Sequence, residues 1–255
     1  MAKARIGAQT YTIREQCEKA SDVAGCCAKI KAMGYDGIQA SAAGFSAIDA
    51  RELKKILDGE GLACASTHIG YDRMRDETDT VIEDHQILNC KYPAIGGLFL
   101  DTLNADVIRQ FAADFSAVGR KFAAADMRIG YHNHSHELMH FDGTPMMQML
   151  IDAFDPSVWF EIDVYWIAHG LGDPAEWIGK VAGRIPCVHY KDGRMNAERQ
   201  HLMCEIGAGN LNWPRINAAC VEAGAEWLLV ERDSGELDPF ESLKISLENM
   251  RAMGL

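Results

Sequence analysis

No apolar run in these 255 residues is long enough to span a bilayer, and no cluster of Lys and Arg stands anywhere along the chain. The first absence argues against a membrane-spanning helix. The second goes with 37 acidic against 25 basic residues and a formal net charge of −12. Such a chain repels phosphate backbones and anionic lipids, so neither nucleic acid nor a membrane is an expected partner. The opening stretch MAKARIGAQTYTI has no signal-peptide apolar core. Eight cysteines (17, 26, 27, 64, 90, 187, 204 and 220) are scattered without a Cys-x-x-Cys pair, which favours reduced thiols in a cytoplasm. A Gly-rich phosphate loop after the first apolar run is also missing, and no linker or low-complexity stretch divides the chain.

What is present is a regular alternation of period-2 and helical patterns. Strands are expected at 6–12, 35–41, 62–69, 93–100, 128–134, 158–163, 185–191 and 227–232. Helices are expected near 21–33, 49–58, 77–89, 105–125, 144–154, 174–182, 213–223 and 239–253. Gly34, Gly183 and Gly224 mark helix ends, while Pro174, Pro214 and Pro239 lie near starts. Eight strand–helix units in roughly 250 residues predict an α/β fold, a single (β/α)8 TIM barrel over residues 1–255. The alternative, an open doubly wound sheet, would carry its phosphate fingerprint where this chain reads QTYTIRE.

Strand parity then sorts the polar residues. His132 and His134 share one face of RIGYHNH, opposite Ile129 and Tyr131. Glu161 and Asp163 oppose Phe160 and Ile162; His189 and Lys191 oppose Val188 and Tyr190; Glu231 opposes Leu228 and Val230. In each strand the ionisable residues gather at the C-terminal end, where barrel enzymes build their sites. His68 ends the third strand, on a face shared with Cys64 and Ser66. Gln9 and Tyr11 hold similar places on the first.

Carboxylates and an imidazole from different strand ends make an oxygen-rich set suited to Mn²⁺, Mg²⁺, Co²⁺ or Zn²⁺, and no thiolate is placed for a structural zinc. A divalent ion bridging a carbonyl and a neighbouring hydroxyl acidifies the C–H between them, and isomerisation then needs an acid and a base. Lys191 could stabilise the developing oxyanion or pair with Asp163 or Glu161. His132 or His134 could be a ligand, a base or an orienting partner. His136 and His140 are expected in solvent. Gly207–Gly209 could form a phosphate-binding turn or a plain loop.

The ordered series YHNHSHEL, EIDVYWIAHG with GDP, RIPCVHYKDG, EIGAGNLNW and LLVERD resembles the sugar phosphate isomerase/epimerase family of the xylose-isomerase-like TIM barrels, and within it a YHNHxxE subgroup. The resemblance covers nearly the whole chain and is most specific between residues 128 and 233. It implies one metal ligand from each of strands five to eight. By motif these are Glu137, Asp163, His189 and Glu231, with His132 or His134 in reserve for the first. Mn²⁺ is the first choice of ion. The expected catalytic groups are Glu137, Glu231, Lys191 and His134, and the expected substrate contacts are His68, His132, Trp166 and Arg194.

The resulting expectation is an isomerase or epimerase of a ketose or inositol-like polyol, working through an enediolate. The alternatives are a dehydratase or C-glycoside-cleaving lyase on the same site, or a non-catalytic sugar-binding barrel. An endonuclease-IV-like DNA repair barrel lacks its larger His/Glu set and a basic surface here. A homodimer or homotetramer is open.

Overall fold

The computed structural model describes residues 3–255. Its eight parallel barrel strands are β1 (Arg5–Gln9), β2 (Gly37–Ala40), β3 (Ala63–His68), β4 (Pro93–Ile95), β5 (Gly130–His132), β6 (Trp159–Asp163), β7 (Cys187–Tyr190) and β8 (Trp227–Val230). They close as β1-β8-β7-β6-β5-β4-β3-β2, so the first and last strands complete the ring by pairing. This is the expected (β/α)8 barrel. The flanking helices are α1 (Val23–Met33), α2 (Ala50–Glu60), α3 (Thr78–Leu88), α4 (Ala105–Ala123), α5 (Met146–Ala153), α6 (Pro174–Lys180), α7 (Trp213–Ala223) and α8 (Pro239–Ala252). Among the described residues no helix is long and apolar enough to cross a membrane.

The helices begin where the sequence supplies caps. Asn104 accepts from the amides of Asp106 and Val107 at the start of α4, and Asp238 accepts from those of Phe240 and Glu241, with Pro239 opening α8. On the outer wall, strand residues pack against these helices: the Tyr131 ring lies 6.1 Å from Phe111 and 5.8 Å from Phe154.

The interior of the barrel is layered. Trp159, Trp227, Ala65, Ala94, Cys187 and Leu229 form an apolar plug at the N-terminal end. Two glycines make room for its indoles. A Cβ on Gly130 would overlap the Trp159 ring, and one on Gly37 would come within 2.9 Å of Trp227. Truncating Trp159 to Ala would cost about 3–5 kcal/mol, the usual range for emptying a large aromatic site. Above the plug the interior turns polar, and register fixes who meets whom. His132 pairs across from Glu161, and Asp163 from His189.

Two expectations about the strands need correcting. Cys64 does not share a face with Ser66 and His68: the β2–β3 register shifts between Ile38 and Gln39, and the irregularity puts Cys64 in the outer core while Ala65 joins the plug. The first strand stops at Gln9, and Thr10–Gln16 winds into a 3-10 helix. There the Thr10 hydroxyl donates to Gln39 O and accepts from the amides of Ser41 and Ala42, while Gln9 Oε1 takes the Tyr11 amide. Such local side-chain bonds compete with the ladder.

Candidate metal centre

Above the plug lies a fully bonded layer. The Gln39 side-chain amide donates to both oxygens of Glu161, at 2.8 and 3.0 Å, and to Ser66 Oγ at 3.1 Å. Ser66 Oγ in turn donates to Tyr92 O. The Gln39 carbonyl oxygen lies 2.6 Å from His189 Nε2, and His68 Nε2 lies 2.6 Å from Glu161 Oε2. Because Gln39 turns its NH₂ to Glu161, its oxygen is the atom left for His189, and Nε2 donates to it. Burial opposes charge on His189, but Glu161 and Glu231 raise its pKa well above 6.5, and an ion bound at Nδ1 would take the place of the proton there. Burial opposes the charge on Glu161, but the imidazoles of His189 and His68 hold its carboxyl well below the usual range.

The next layer up is different. His132, Asp163, His189 and Glu231 are all buried, and one ligating atom from each lies within 4.8 Å of the others. His132 Nδ1 and Nε2, Asp163 Oδ2, His189 Nδ1 and Glu231 Oε2 are buried without hydrogen-bond partners. Yet they approach closely: His189 Nδ1 is 2.9 Å from Glu231 Oε2 and 3.7 Å from Asp163 Oδ2, and His132 Nε2 is 3.5 Å from Asp163 Oδ2. The atoms face a shared point instead of satisfying one another. Orphaned buried polar atoms are costly, and a divalent cation is the partner that would satisfy two imidazole nitrogens and two carboxylate oxygens together. The donor set fits the group the sequence implied.

Asp163 is held from two sides. Its amide donates to Asn133 Oδ1, and its Oδ1 caps the short helix Val164–His169 by accepting from the Trp166 amide, leaving Oδ2 to the cluster. Lys191 Nζ lies 3.0 Å from Asp163, 2.7 Å from Glu231 and 3.0 Å from Asp233. Burial disfavours its charge, but these carboxylates more than reverse that and raise its pKa. Its partners include Asp163, as one reading of the sequence had it, but not Glu161. Asp233, which motif reasoning passed over, is pushed up to about 6, first by burial and then by the Glu231 charge. Burial, and then His132, drive His134 down to about 2, so its ring is neutral.

The expected ligand set does not converge as a whole. Glu137 is buried but turns away, because the chain after β5 coils into the 3-10 turn His136–Leu138. Its carboxylate accepts from Tyr131 Oη at 2.7 Å and from the His134 amide at 2.8 Å. His132, the reserve, stands with Asp163, His189 and Glu231. Glu137 instead anchors the turn that carries His134. His136 is not simply solvated, since its Nε2 lies 2.9 Å from Leu98 O; His140 is exposed.

A cavity of about 380 Å³ opens over the cluster, lined by His68, His132, His134, Lys191, Glu231 and Asp233 together with Gln9, Tyr11 and Phe99. Trp166 borders it through His134, with rings 5.4 Å apart, and lies under Lys191. Arg194 is not there; it sits on the antiparallel hairpin Asp192–Met195 with His201–Cys204 and lines a different cavity. The Gly207–Gly209 turn is not open for a phosphate. The Asp192 carboxylate already accepts from the amides of Gly193, Gly207 and Gly209 and from Trp213 Nε1.

With this geometry in view, comparisons with known proteins are informative. A family model described as xylose isomerase-like TIM barrel matches residues 27–253. A sugar phosphate isomerase/epimerase from Parabacteroides distasonis ATCC 8503 superposes with a TM-score of 0.81 at 22% identity, covering 98% of this chain and 95% of its own. L-ribulose 3-epimerase gives 0.75 at 18%, covering 98% and 94%. An IOLI protein with a bound zinc atom gives 0.73 at 14%, covering 97% of each chain. Among curated protein sequences none matches the chain.

Proposed function

Since the chain belongs to the xylose isomerase-like TIM barrel family, we propose that it is a metal-dependent isomerase or epimerase of a sugar-like ketose or polyol. The observation that carries this reading is the ring of unpartnered ligand atoms beneath a polar cavity. Asp163, His189 and Glu231 would hold the ion, with His132 as the strand-five ligand in the place motif matching gave to Glu137. Mn²⁺ remains the first choice, although two imidazoles among four ligands also suit Zn²⁺. When bound, the ion supplies Lewis acidity toward a carbonyl and an adjacent hydroxyl.

The chain's own groups supply the rest. Glu231 lines the cavity as well as the cluster and is the carboxylate placed to take a proton from carbon beside a carbonyl. Lys191 offers positive charge to an oxygen gaining negative charge. His134, with its neutral ring, and His68 approach from the β5 and β3 sides, where a hydroxylated substrate would receive hydrogen bonds or a returned proton. The IOLI protein and L-ribulose 3-epimerase support metal binding and sugar epimerisation, respectively, as activities to test on this chain.

The test is solvent exchange. Mn²⁺-loaded protein is incubated in deuterated water with ketoses, inosose-like ketones and keto-glycosides and followed by NMR. Deuterium should enter the carbon beside the carbonyl of at least one substrate, and Glu231→Gln should abolish both exchange and tight metal binding. Full activity in that variant would overturn the assignment. Leaving-group release without isomer formation would move the reaction to the lyase class.

A further inference from the structure

A larger cavity, of about 500 Å³, lies beside the metal-side one and shares none of its lining residues. It is walled by the short helix Val164–His169, the hairpin carrying Arg194 and His201, and the start of α7. Leu211 and Ile216 give it an apolar side. Its polar lining combines Arg194, Arg215, His169 and His201 with Asp173, Asn210 and Asn212. The rings of His169 and His201 stand 4.8 Å apart, brought together from the helix and the hairpin. Among the described residues neither imidazole, nor the Arg194 guanidinium, has a side-chain hydrogen-bond or ion-pair partner. Arg215, by contrast, is tied to Asp173 at 2.6 Å. On a chain of net charge −12, an unpaired guanidinium lining the same cavity as two unpaired imidazoles, with the one acid there already paired to Arg215, leaves the cavity an excess positive charge.

The walls are built. Asp192 pins the hairpin to the Gly207–Gly209 turn. Tyr165 presses its ring onto Gly193 so closely that a Cβ there would overlap it. Burial, and then the neighbouring His201, lower the basicity of His169, so its ring offers an N–H as a neutral donor at the cavity wall. A volume of this size with an apolar side and a few converging polar groups is the ordinary form of a small-molecule site.

We infer that this cavity is a second ligand site, for a small organic oxyanion carried on an apolar body, with Arg194, His169 and His201 gripping the anion and Leu211 and Ile216 the body. The site backs onto the metal centre: the helix bearing Tyr165 and His169 is the one capped by Asp163.

Phenyl phosphate, benzoate, inorganic phosphate and phenol serve as probes, with binding measured by calorimetry and by the ring C–H signals of His169 and His201. One or both of the first two should bind at least tenfold more tightly than either fragment and shift both histidine signals. Preference for phenyl phosphate over benzoate would identify a phosphate-bearing ligand, and the reverse a carboxylate. The double variant R194A/H201A changes two exposed side chains and should weaken binding at least tenfold, whereas His134→Ala, in the other cavity, should leave it unchanged. The inference is overturned if neither aromatic anion binds at millimolar concentration, if R194A/H201A binds as the parent does, or if His134→Ala abolishes binding.

Discussion

The two histidine–carboxylate groups inside the barrel share His189 and are separated by about the depth of one imidazole ring, yet they are opposites. In the lower one, Gln39 joins Glu161 to His189 Nε2, and His68 Nε2 meets Glu161 directly, so both carboxylate oxygens and the nitrogens facing them have partners. In the upper one, His132, Asp163, His189 and Glu231 crowd together without bonding one another, and the Lys191 ammonium alone stands against their carboxylate oxygens. The same residue types give a structural network in one layer and a candidate ligand set in the next. What decides is whether an amide is present to mediate. Gln39 offers both a donor and an acceptor, so it can satisfy a carboxylate and an imidazole at once. The upper layer has no such group; it has Lys191, one cation against three carboxylates.

The largest effect that would sharpen this contrast is thermal. Mn²⁺ at about a hundred times its Kd should add about 2.7 kcal/mol of stability, which is roughly 5–10 °C in Tm for a chain of this size. Asp163→Asn should remove that shift. A shift that survives in Asp163→Asn but vanishes in Glu161→Gln would place the ion in the lower layer and reverse the assignment.

A second substitution attacks the shared residue from below. Gln39→Leu takes away the acceptor that fixes the His189 tautomer, and metal affinity should fall about 10–100-fold, as for other orienting partners of a ligand histidine. The variant should also be less stable without metal, since Glu161 and His189 lose bonds in a buried site. Unchanged affinity measured by competition with a chelator would show that His189 needs no help from beneath.

Much of this contrast was legible in the sequence, but unevenly. Parity placed Glu161, Asp163, His189 and Glu231 inside the barrel because β6, β7 and β8 are regular enough for alternation to hold. It failed in β3, where one register shift reversed Cys64. Motif matching placed Glu137 in the ligand set; spacing alone does not reveal that a 3-10 turn aims it at Tyr131. Gln39 was invisible for a different reason. It is an uncharged residue in a four-residue strand, and its partners Glu161 and His189 lie 122 and 150 positions away. Asp192 was hidden likewise: the aspartate of HYKD reads as part of a catalytic motif, while its carboxylate is spent on the backbone of a distant turn.

The smallest expected effect tests whether a satisfied histidine needs a carboxylate at all. His85 lies on the outer side of the barrel, with Nε2 2.7 Å from Thr67 Oγ1 and Nδ1 2.7 Å from Val81 O. Both its nitrogens are bonded, but no carboxylate bonds to it, and burial lowers its pKa below 6.5 despite the nearby Asp84 charge. In the unfolded chain His85 takes up a proton near pH 6.5 while the folded form resists. Its neutral packing therefore contributes in full above that pH and is lost as pH falls from 6.5 toward the depressed folded value. The loss is at most about 1.4 kcal/mol per pH unit. Denaturant unfolding between pH 5 and 7.5 should accordingly show a steeper acid-side decline for the parent than for His85→Gln, which keeps hydrogen-bonding groups but cannot titrate. Parallel curves would mean that His85 is protonated alike in both states, and that a neutral partner such as Thr67 does not suffice to hold a buried imidazole uncharged.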